Sequence, residues 1–406
     1  MPNRSSIRMK RFWHDRLHWL CALLYYERIT VLHPERLPGG GPTLFIVLHR
    51  NGAVDGFVYQ HAVPHVVSLI STQLLRSAFA RFFFCGIAVA RGKDADDDSQ
   101  NAAALDQCRQ LLASGGALMI FPEGTSSLGP HHLPFKSGAA RIAVDTLAQG
   151  IPLRIVPLGI HYEEAWAFRS KVEVVVGEEV ETGFAPDLGG FGQLKEMKRR
   201  MNSALEAVGA NFPSVEVQTD AERLAYAATL GTPHSYFDSL KWFEHGVPEA
   251  LQQSWRELER GMATRRVWQH QRVPLFPMGP WVVYAVLLAV TAPMVVAGTL
   301  LNLPPLLAGW LAARRFVDDR NVIALWRILV GFPVLLVWFV VMLALAGIAG
   351  DWWWAAGYAG LTFIALKLFY RVRKLSVAVW NGLANRDLRS AALAFHQRVL
   401  DMISLK

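Results

Sequence analysis

Two side chains capable of acid–base chemistry flank a short polar turn. The stretch from Leu44 to Asp55, LFIVLHRNGAVD, is apolar as far as Leu48, reaches His49, and then turns at Asn51-Gly52. On a single helix His49 and Asp55 would face different directions, and on a single strand they would lie roughly 20 Å apart. An Asn-Gly pair favours a chain reversal. A strand–turn–helix would therefore bring the imidazole beside the carboxylate.

Such a pair has the chemistry of a general base. Neutral imidazole is well suited to accept a proton near pH 7, and a carboxylate on its other nitrogen fixes the tautomer. Open α/β sheets bind their ligands at the carboxyl ends of strands, where His49 would lie. Alternatively, His49 could end a strand and Asp55 cap a helix with no relation between them. This stretch alone leaves both interpretations open.

A second polar loop follows another apolar run. The sequence FPEGTSS, from Phe121 to Ser127, comes directly after the predicted strand ALMIF. Its loop would lie at the same sheet edge as His49 and would present the carboxylate of Glu123 beside the backbone of Gly124. Taken alone, the string is also typical of an ordinary turn.

Two cations and a proline complete the set of candidate motifs. The segment GIAVAR ends at Arg91, a strand-end guanidinium suited to a phosphate. Lys136 adds a second cation shortly after the FPEG loop. In IVPLGI, from Ile155 to Ile160, we expect Pro157 to interrupt a strand.

Other chemistries are less well supported by the sequence. No G-x-S-x-G elbow is present, which disfavours a serine hydrolase. The acidic run from Asp94 to Asp98 lacks an ordered metal-ligand spacing and is interpreted as a solvated loop. The cysteines form no C-x-x-C pair, and their apolar contexts predict buried, reduced thiols in a cytoplasmic compartment; they are Cys21, Cys85 and Cys108.

Strand and helix patterns alternate between residues 29 and 212. Continuously apolar runs are typical of strands covered on both faces, and the alternation predicts an α/β domain with a central, mostly covered sheet. The predicted strands are Ile29–Leu32, Thr43–Leu48, Val66–Ser71, Ile87–Ala90, Ala117–Phe121, Leu153–Ile160 and Val172–Val176. The predicted helices are Gly56–Val63, Leu74–Phe84, Ser99–Ala113, Lys136–Gln149 and Gly192–Gly209.

The regions on either side have a different composition. Residues 1–28 predict a basic amphipathic helix with two tryptophans, suited either to a membrane interface or to packing on its own domain. Residues 213–280 predict a polar helical linker. Hydrophobic residues make up 52% of the whole chain and charged residues 18%, with a net charge of +8. This composition favours a membrane protein with an anionic lipid surface or a phosphorylated substrate as partner; no nucleic-acid motif is recognisable.

Two long apolar stretches occupy residues 281–370. Trp281–Ala313 is uncharged and is interrupted at Asn302-Leu303-Pro304-Pro305, and Ile328–Phe369 contains Asp351 near its midpoint. Each is longer than the ~20 residues of one membrane span, so we predict two C-terminal membrane helical hairpins. The intervening arginines and the basic, amphipathic tail 371–406 would then share one side of the membrane, as the positive-inside rule requires.

The motifs, in this order, resemble those of the glycerolipid acyltransferase family, which includes glycerol-3-phosphate and lysophosphatidate acyltransferases. That family has a His-Asp motif, a strand ending in Arg, an F-P-E-G loop and a late Pro-containing strand. Here they are HRNGAVD, GIAVAR, FPEGTSS with LPFKSGAA following, and IVPLGI. The resemblance covers about residues 29–212. The usual motif has four residues between His and Asp, whereas this chain has five, similar to a yeast-type branch that uses glycerol-3-phosphate or dihydroxyacetone phosphate.

The resemblance implies roles for individual residues. His49 would be the general base and Asp55 would orient it, so that an acceptor hydroxyl attacks an acyl thioester directly, without a cofactor. The donor would be acyl-CoA or acyl carrier protein, and the acceptor a phosphorylated glycerol. The substrate-binding residues implied are Arg91, Glu123, Gly124, Thr125 and Lys136, with Arg91 on the acceptor phosphate.

The apolar stretches and the distribution of basic residues predict an integral membrane protein, in contact with membrane lipids, with its catalytic domain on the cytoplasmic face. Two alternatives stay open at this point. One is a lysophospholipid-remodelling acyltransferase that acts on another head group. The other is a non-catalytic lipid-binding protein that has kept the fold, although the intact His, Asp and Glu set disfavours it.

Overall fold

The computed structural model describes residues 4–90 and 98–404, without the side chains of 4–11 and 98–101. These residues form two compact units. The α/β unit comprises the described residues within Met1–Leu23, Ile29–Tyr162 and Val172–Ala210. The helical unit comprises those within Leu24–Arg28, Glu163–Lys171 and Asn211–Lys406. We describe each unit by itself.

A seven-stranded, mostly parallel sheet forms the centre of the α/β unit, in the order β1-β7-β6-β2-β5-β3-β4. Strand β2 is central and runs parallel to both neighbours, with Ile46 opposite Ile120 of β5 and Pro157 of β6. Only the pairing of β6 with β7 is antiparallel among the five strand pairings described in full. The strands are β1 Arg28–Leu32, β2 Thr43–Val47, β3 Val67–Ser71, β4 Ile87–Val89, β5 Ala117–Ile120, β6 Arg154–Tyr162 and β7 Lys171–Val176.

Helices cover the sheet, as its continuously apolar strands predict. Every residue of β2 is buried, which confirms the prediction of a covered central sheet. The helices are α1 Arg4–Tyr25, α2 Val54–Ala62, α3 Ala78–Phe83, α4 Asp98–Ala113, α5 Gly138–Ala148 and α6 Gly190–Val208. Short 3₁₀ turns lie at Pro34–Arg36 and Thr72–Leu75.

The N-terminal helix α1 has both a buried and an exposed apolar side. Leu17, Cys21 and Ala22 are buried, so part of the helix packs within the described protein. Phe12 and Trp13 are instead about half exposed, at 56% and 48%. The structure thus contains features of both interpretations of this helix, packing on its own domain and an exposed aromatic surface.

Two expectations about single residues are wrong. Pro157 does not interrupt β6, which is continuous from Arg154 to Tyr162. The Pro157 carbonyl accepts a hydrogen bond from the N–H of Gly177, the residue just after the end of β7. Proline has no N–H to donate, but Pro157 lies where the pairing between β6 and β7 ends, so the strand continues without that hydrogen bond. Cys21 and Cys108 are buried as expected, but Cys85 is exposed.

The helical unit begins with three helices and a small antiparallel ribbon. The helices are α7 Val215–Ala228, α8 Tyr236–Trp242 and α9 Glu249–Met262, and the ribbon pairs β8 Gln269–His270 with β9 Val273–Pro274. The sequence patterns anticipate helices in this region but not the ribbon, because two-residue strands carry no periodicity.

Four apolar helices follow: α10 Trp281–Leu301, α11 Leu303–Arg315, α12 Ile323–Ala349 and α13 Trp352–Ala384. Helix α10 packs antiparallel to α13, since Trp281 lies against Gly382 and Gly298 against Ala365. Likewise, α11 packs antiparallel to α12, with Gly309 close to Arg327.

The chain reverses between these helices at Asn302 and at Gly350-Asp351, which are the two interruptions seen in the sequence. Gly350 takes a left-handed conformation, with φ of 67°, and Asp351 caps α13 through the backbone N–H groups of Trp353 and Trp354. Two segments of the described chain are long and apolar enough to cross a membrane, Trp281–Leu301 and Arg320–Ala349. Helix α13 runs past residue 370 without a break, and α14, Arg389–Ser404, ends the described chain.

Candidate active site

His49 and Asp55 meet at the carboxyl end of β2. His49 follows the strand, and Asp55 lies in the first turn of α2. The imidazole Nδ1 lies 2.9 Å from Asp55 Oδ2. His49 is 7% exposed and Asp55 is fully buried. The structure therefore brings together the two residues that the sequence places six positions apart.

The loop between them wraps around the carboxylate. Gly52 adopts φ of 55°, a left-handed conformation that glycine enters without strain. The backbone N–H groups of Arg50 and Asn51 then donate to Asp55 Oδ2 at 2.6 and 2.8 Å. The five-residue spacing thus accommodates two backbone donors for the buried anion, and the N-terminus of α2 favours a negative charge there as well.

A tyrosine that the sequence analysis did not single out completes the carboxylate's contacts. The Tyr162 hydroxyl donates to Asp55 Oδ1 at 2.6 Å. Tyr162 ends β6, a parallel neighbour of β2, so both residues reach the same sheet edge. The predicted strand ended at Ile160 and left Tyr162 outside it. A polar residue two positions beyond that strand end was the available signal.

Glu123 lies next to the backbone of His49. Its Oε1 accepts from the His49 backbone N–H at 2.8 Å, and its Oε2 accepts from the Leu133 N–H at 3.0 Å. The side chain is buried, with 2% exposed. Burial raises the pKa of Glu123 above its ordinary value, while the two backbone donors lower it in part. Glu123 therefore ties the FPEG loop to the backbone of the imidazole-bearing residue.

Gly124, Thr125 and Lys136, three more of the predicted site residues, lie at or beside a sharp turn. Gly124 adopts φ of 75°, and a Cβ built there would lie 2.6 Å from Lys136 Nζ. The lysine side chain therefore lies directly against the glycine backbone. Both Lys136 and Thr125 are exposed at this edge. Arg91 lies outside the residues that the structure describes, so its predicted place is untested.

The geometry leaves one nitrogen of His49 open for chemistry. A proton on Nδ1 is shared with Asp55, which leaves the lone pair on Nε2. Within the described part of the chain, Nε2 has no hydrogen-bond partner, and the ring packs against Phe121 with centroids 4.4 Å apart. An imidazole in this state can accept a proton from a substrate hydroxyl. Among the described residues, no three His, Cys, Asp or Glu side chains are grouped to hold a metal ion.

Comparison with known families agrees with this arrangement. The family model described as Acyltransferase matches residues 28–161. Those residues are therefore similar to acyltransferase domains. The matched range contains His49, Asp55 and Glu123, and it ends within β6, one residue before Tyr162.

Three curated relatives match parts of this chain. A probable 1-acyl-sn-glycerol-3-phosphate acyltransferase of Mycoplasma pneumoniae is 42% identical over 163 residues, covering 39% of this chain and 59% of the relative. A 1-acyl-sn-glycerol-3-phosphate acyltransferase of Chlamydomonas reinhardtii is 26% identical over 144 residues, covering 35% and 42%. Glycerol-3-phosphate O-acyltransferase 2 of Saccharomyces cerevisiae is 28% identical over 116 residues, covering 26% and 15%. The chain thus spans about half the length of the first two relatives.

Proposed function

We propose that this chain is a membrane-bound O-acyltransferase that transfers a fatty acyl group from an acyl thioester to a hydroxyl of glycerol-3-phosphate or lysophosphatidate. The observation that carries the proposal is the buried His49–Asp55 pair with an open Nε2 inside an acyltransferase domain. The three relatives named for acylation of glycerol-3-phosphate or its 1-acyl derivative support this choice of acceptor.

In the proposed reaction, His49 Nε2 takes the proton of the acceptor hydroxyl while that oxygen attacks the thioester carbonyl carbon. A new C–O bond forms and a tetrahedral intermediate results. The C–S bond then breaks, and the departing thiolate takes the proton back from the imidazolium. Asp55 stabilises that imidazolium through Nδ1. The products are an ester and a free thiol, and no acyl-enzyme is formed.

We assign the acceptor phosphate to Arg91 and Lys136. Lys136 supports this role by placing an exposed ammonium against Gly124, at the same sheet edge as the imidazole. Lysine and arginine both form charge-assisted hydrogen bonds with phosphate oxygens. Thr125 and the Gly124 backbone are proposed to contact the glycerol end. Glu123 has both oxygens on backbone N–H groups, so we propose that it acts by holding the loop.

We propose further that the hairpins anchor the protein in a membrane with the basic residues on the cytoplasmic side. Arg327 lies beside Gly309, at the end of the α11–α12 pair remote from the Gly350-Asp351 turn. The lateral faces of these helices are apolar and exposed at many positions, including Val282, Val286, Val290, Val337 and Val340. Such a surface suits lipid rather than water.

Single-cysteine labelling tests the orientation. Cysteines at Asp318 and Lys406, in a background without the native cysteines, are expected to resist an impermeant maleimide in intact cells and to react after permeabilisation. Labelling of the Asp318 site from outside would show that the first apolar stretch is a single span and that the orientation is wrong.

An acceptor panel tests the activity. Purified protein would be supplied with glycerol-3-phosphate, lysophosphatidate, and lysolipids with choline or ethanolamine head groups, each with acyl-CoA or acyl carrier protein as donor. Mass spectrometry should find the acylated phosphate acceptors. Products only from choline or ethanolamine lysolipids would instead identify a remodelling acyltransferase. Absence of product with every pair, from protein that is folded, would favour a non-catalytic lipid-binding role.

A further inference from the structure

The carboxylate of Asp55 receives four hydrogen bonds, unequally divided between its oxygens. Oδ2 lies 2.9 Å from His49 Nδ1 and accepts from two backbone N–H groups of the loop. Oδ1 accepts from the Tyr162 hydroxyl at 2.6 Å. Within the described residues, Tyr162 is the single donor to Oδ1. The hydrogen bonding of Oδ1 in this fully buried carboxylate therefore depends on the Tyr162 hydroxyl.

This dependence affects the orientation of the carboxylate. If Oδ1 loses its donor, a buried oxygen is left unsatisfied, which is costly for a charged group. The carboxylate can reduce that cost by rotating to bring Oδ1 toward other donors. That rotation weakens the contact between Oδ2 and His49 Nδ1, which fixes the imidazole tautomer and stabilises its protonated form during the reaction.

We propose that Tyr162 is a positioning residue of the acyl-transfer site, which holds Asp55 in the orientation that keeps His49 ready to act as a base. The proposal rests on the proposed function for its catalytic consequence. Tyr162 is placed for this role by topology. Because β2 and β6 are adjacent and parallel, with Val47 opposite Leu158, the ends of both strands reach the same edge.

A second buried tyrosine offers a matched control. Tyr59 is fully buried, and its hydroxyl donates to the backbone carbonyls of Leu48 and Leu158 at 2.9 and 3.2 Å. It lies in the same helix as Asp55 but makes no hydrogen bond with it. Tyr59→Phe and Tyr162→Phe thus remove the same hydroxyl group, and only the second removes a donor to the carboxylate.

The kinetic experiment compares the full-length wild-type protein with both variants in lipid nanodiscs. Tyr162→Phe is expected to lower kcat about tenfold, with both KM values within about twofold of wild type, since one hydrogen bond to a charged group is lost. The acid limb of its pH–rate profile should also differ from that of wild type, because Asp55 then contacts the imidazole of His49 differently. Tyr59→Phe should keep kcat within about twofold and leave the acid limb unchanged.

A spectroscopic experiment tests the same point without using activity. In protein labelled with ¹⁵N-histidine, the His49 Nδ1–H should give a downfield, exchange-protected proton signal, assigned by its loss in His49→Ala. We expect this signal to shift or broaden in Tyr162→Phe and to persist in Tyr59→Phe. If the wild type transfers no acyl group, the proposed function fails while this signal still tests the positioning role.

Three results would overturn the proposal. One is a Tyr162→Phe protein with wild-type kcat and an unmoved acid limb. Another is an equal fall in kcat for both tyrosine variants, which would indicate a general packing effect. The third is an unchanged Nδ1–H signal in Tyr162→Phe.

Discussion

The two units both bury polar side chains, but they satisfy them in different ways. At the candidate site of the α/β unit, the buried carboxylates of Asp55 and Glu123 accept most of their hydrogen bonds from backbone N–H groups of loops at one sheet edge. In the helical unit, the buried Asn302 donates to the Gly298 carbonyl and to Thr362 Oγ1, and accepts from the Tyr358 hydroxyl at 2.8 Å. This second network is neutral and closed.

The difference separates the candidate active site from a structural network. Buried anions are costly, so a protein that keeps two of them beside an imidazole with an open nitrogen gains something other than stability from them. A neutral amide whose hydrogen bonds are met by its neighbours fixes a turn and leaves no atom open for chemistry. The open nitrogen atom, more than the burial of polar groups, therefore distinguishes the candidate active site.

The sharpest test of this comparison is His49→Ala. Removing the open nitrogen should lower kcat by ~100- to 10,000-fold, the usual worth of a general base, with little change in the unfolding temperature. The control is His61→Ala, near the end of α2, the helix that contains Asp55. It should retain activity because His61 stacks on Trp19, with ring centroids 6.5 Å apart, and contacts neither Asp55 nor Glu123. More than half of wild-type turnover in His49→Ala would refute the proposed mechanism.

A second test separates substrate binding from catalysis within the α/β unit. Arg91→Ala and Lys136→Ala should each raise the KM for the phosphorylated acceptor by roughly 10-fold, with a smaller change in kcat, because a charge-assisted phosphate contact is lost. The donor KM measured in the same assays is the internal control. A change confined to the donor KM would show that these cations do not bind the acceptor phosphate.

The closed network of the helical unit should respond in the opposite way. Asn302→Leu is expected to destabilise the protein by about 1 kcal/mol, as is typical of hydrogen bonds between apolar helices, while kcat per folded molecule stays unchanged. Thermal unfolding in detergent and the initial rate would be measured together. Thr291→Val, which removes a hydroxyl that donates to the Leu287 carbonyl outside this network, should have a smaller effect. A large fall in kcat for Asn302→Leu would contradict the conclusion that the Asn302 network is purely structural.

The smallest expected effect is a change in the pH dependence of stability. Because the pKa of Glu123 is raised by burial, the folded protein holds this proton more tightly than the unfolded chain does. The resulting stabilisation is fully present below the ordinary value of 4.5 and is lost as pH rises through the folded-state pKa.

Glu123→Gln removes that titration. The difference in unfolding temperature between wild type and Glu123→Gln should therefore shift against the wild type as pH rises from about 4 to about 7. Thermal unfolding at each pH gives the measurement, and Glu206→Gln, on the exposed side of α6, is the control for an exposed glutamate. A constant difference would mean that burial does not perturb Glu123.

Local patterns predicted much of the fold. All seven predicted strands exist, because continuous apolar runs and turn residues are local properties of the chain. The reversals at Asn302 and Asp351 were predicted for the same reason. Pro157 was misinterpreted because its effect depends on where β7 ends, which is a property of a neighbouring strand.

The site was predicted only as far as its motifs are local. His49 and Asp55 are joined by one loop, so their contact follows from turn chemistry. The Tyr162 contact spans more than a hundred residues and depends on the order of strands in the sheet. The donor role of the Leu133 backbone to Glu123 was equally invisible, since any residue type carries an N–H group.

The two helical hairpins reverse at different heights. Tyr358 of α13 lies level with Asn302, whereas the second reversal lies seven residues further along, at Asp351, or about 10 Å at 1.5 Å per residue. The two helices that meet at Asn302 also differ in length: α10 has 21 residues, or ~31 Å, and α11 has 13, or ~20 Å. Inserted as proposed, the Arg314-Arg315 end of α11 would then lie ~10 Å nearer to the reversal than the Trp281 end of α10 does. These arginines would reach the lipid phosphates by extending their side chains along the helix.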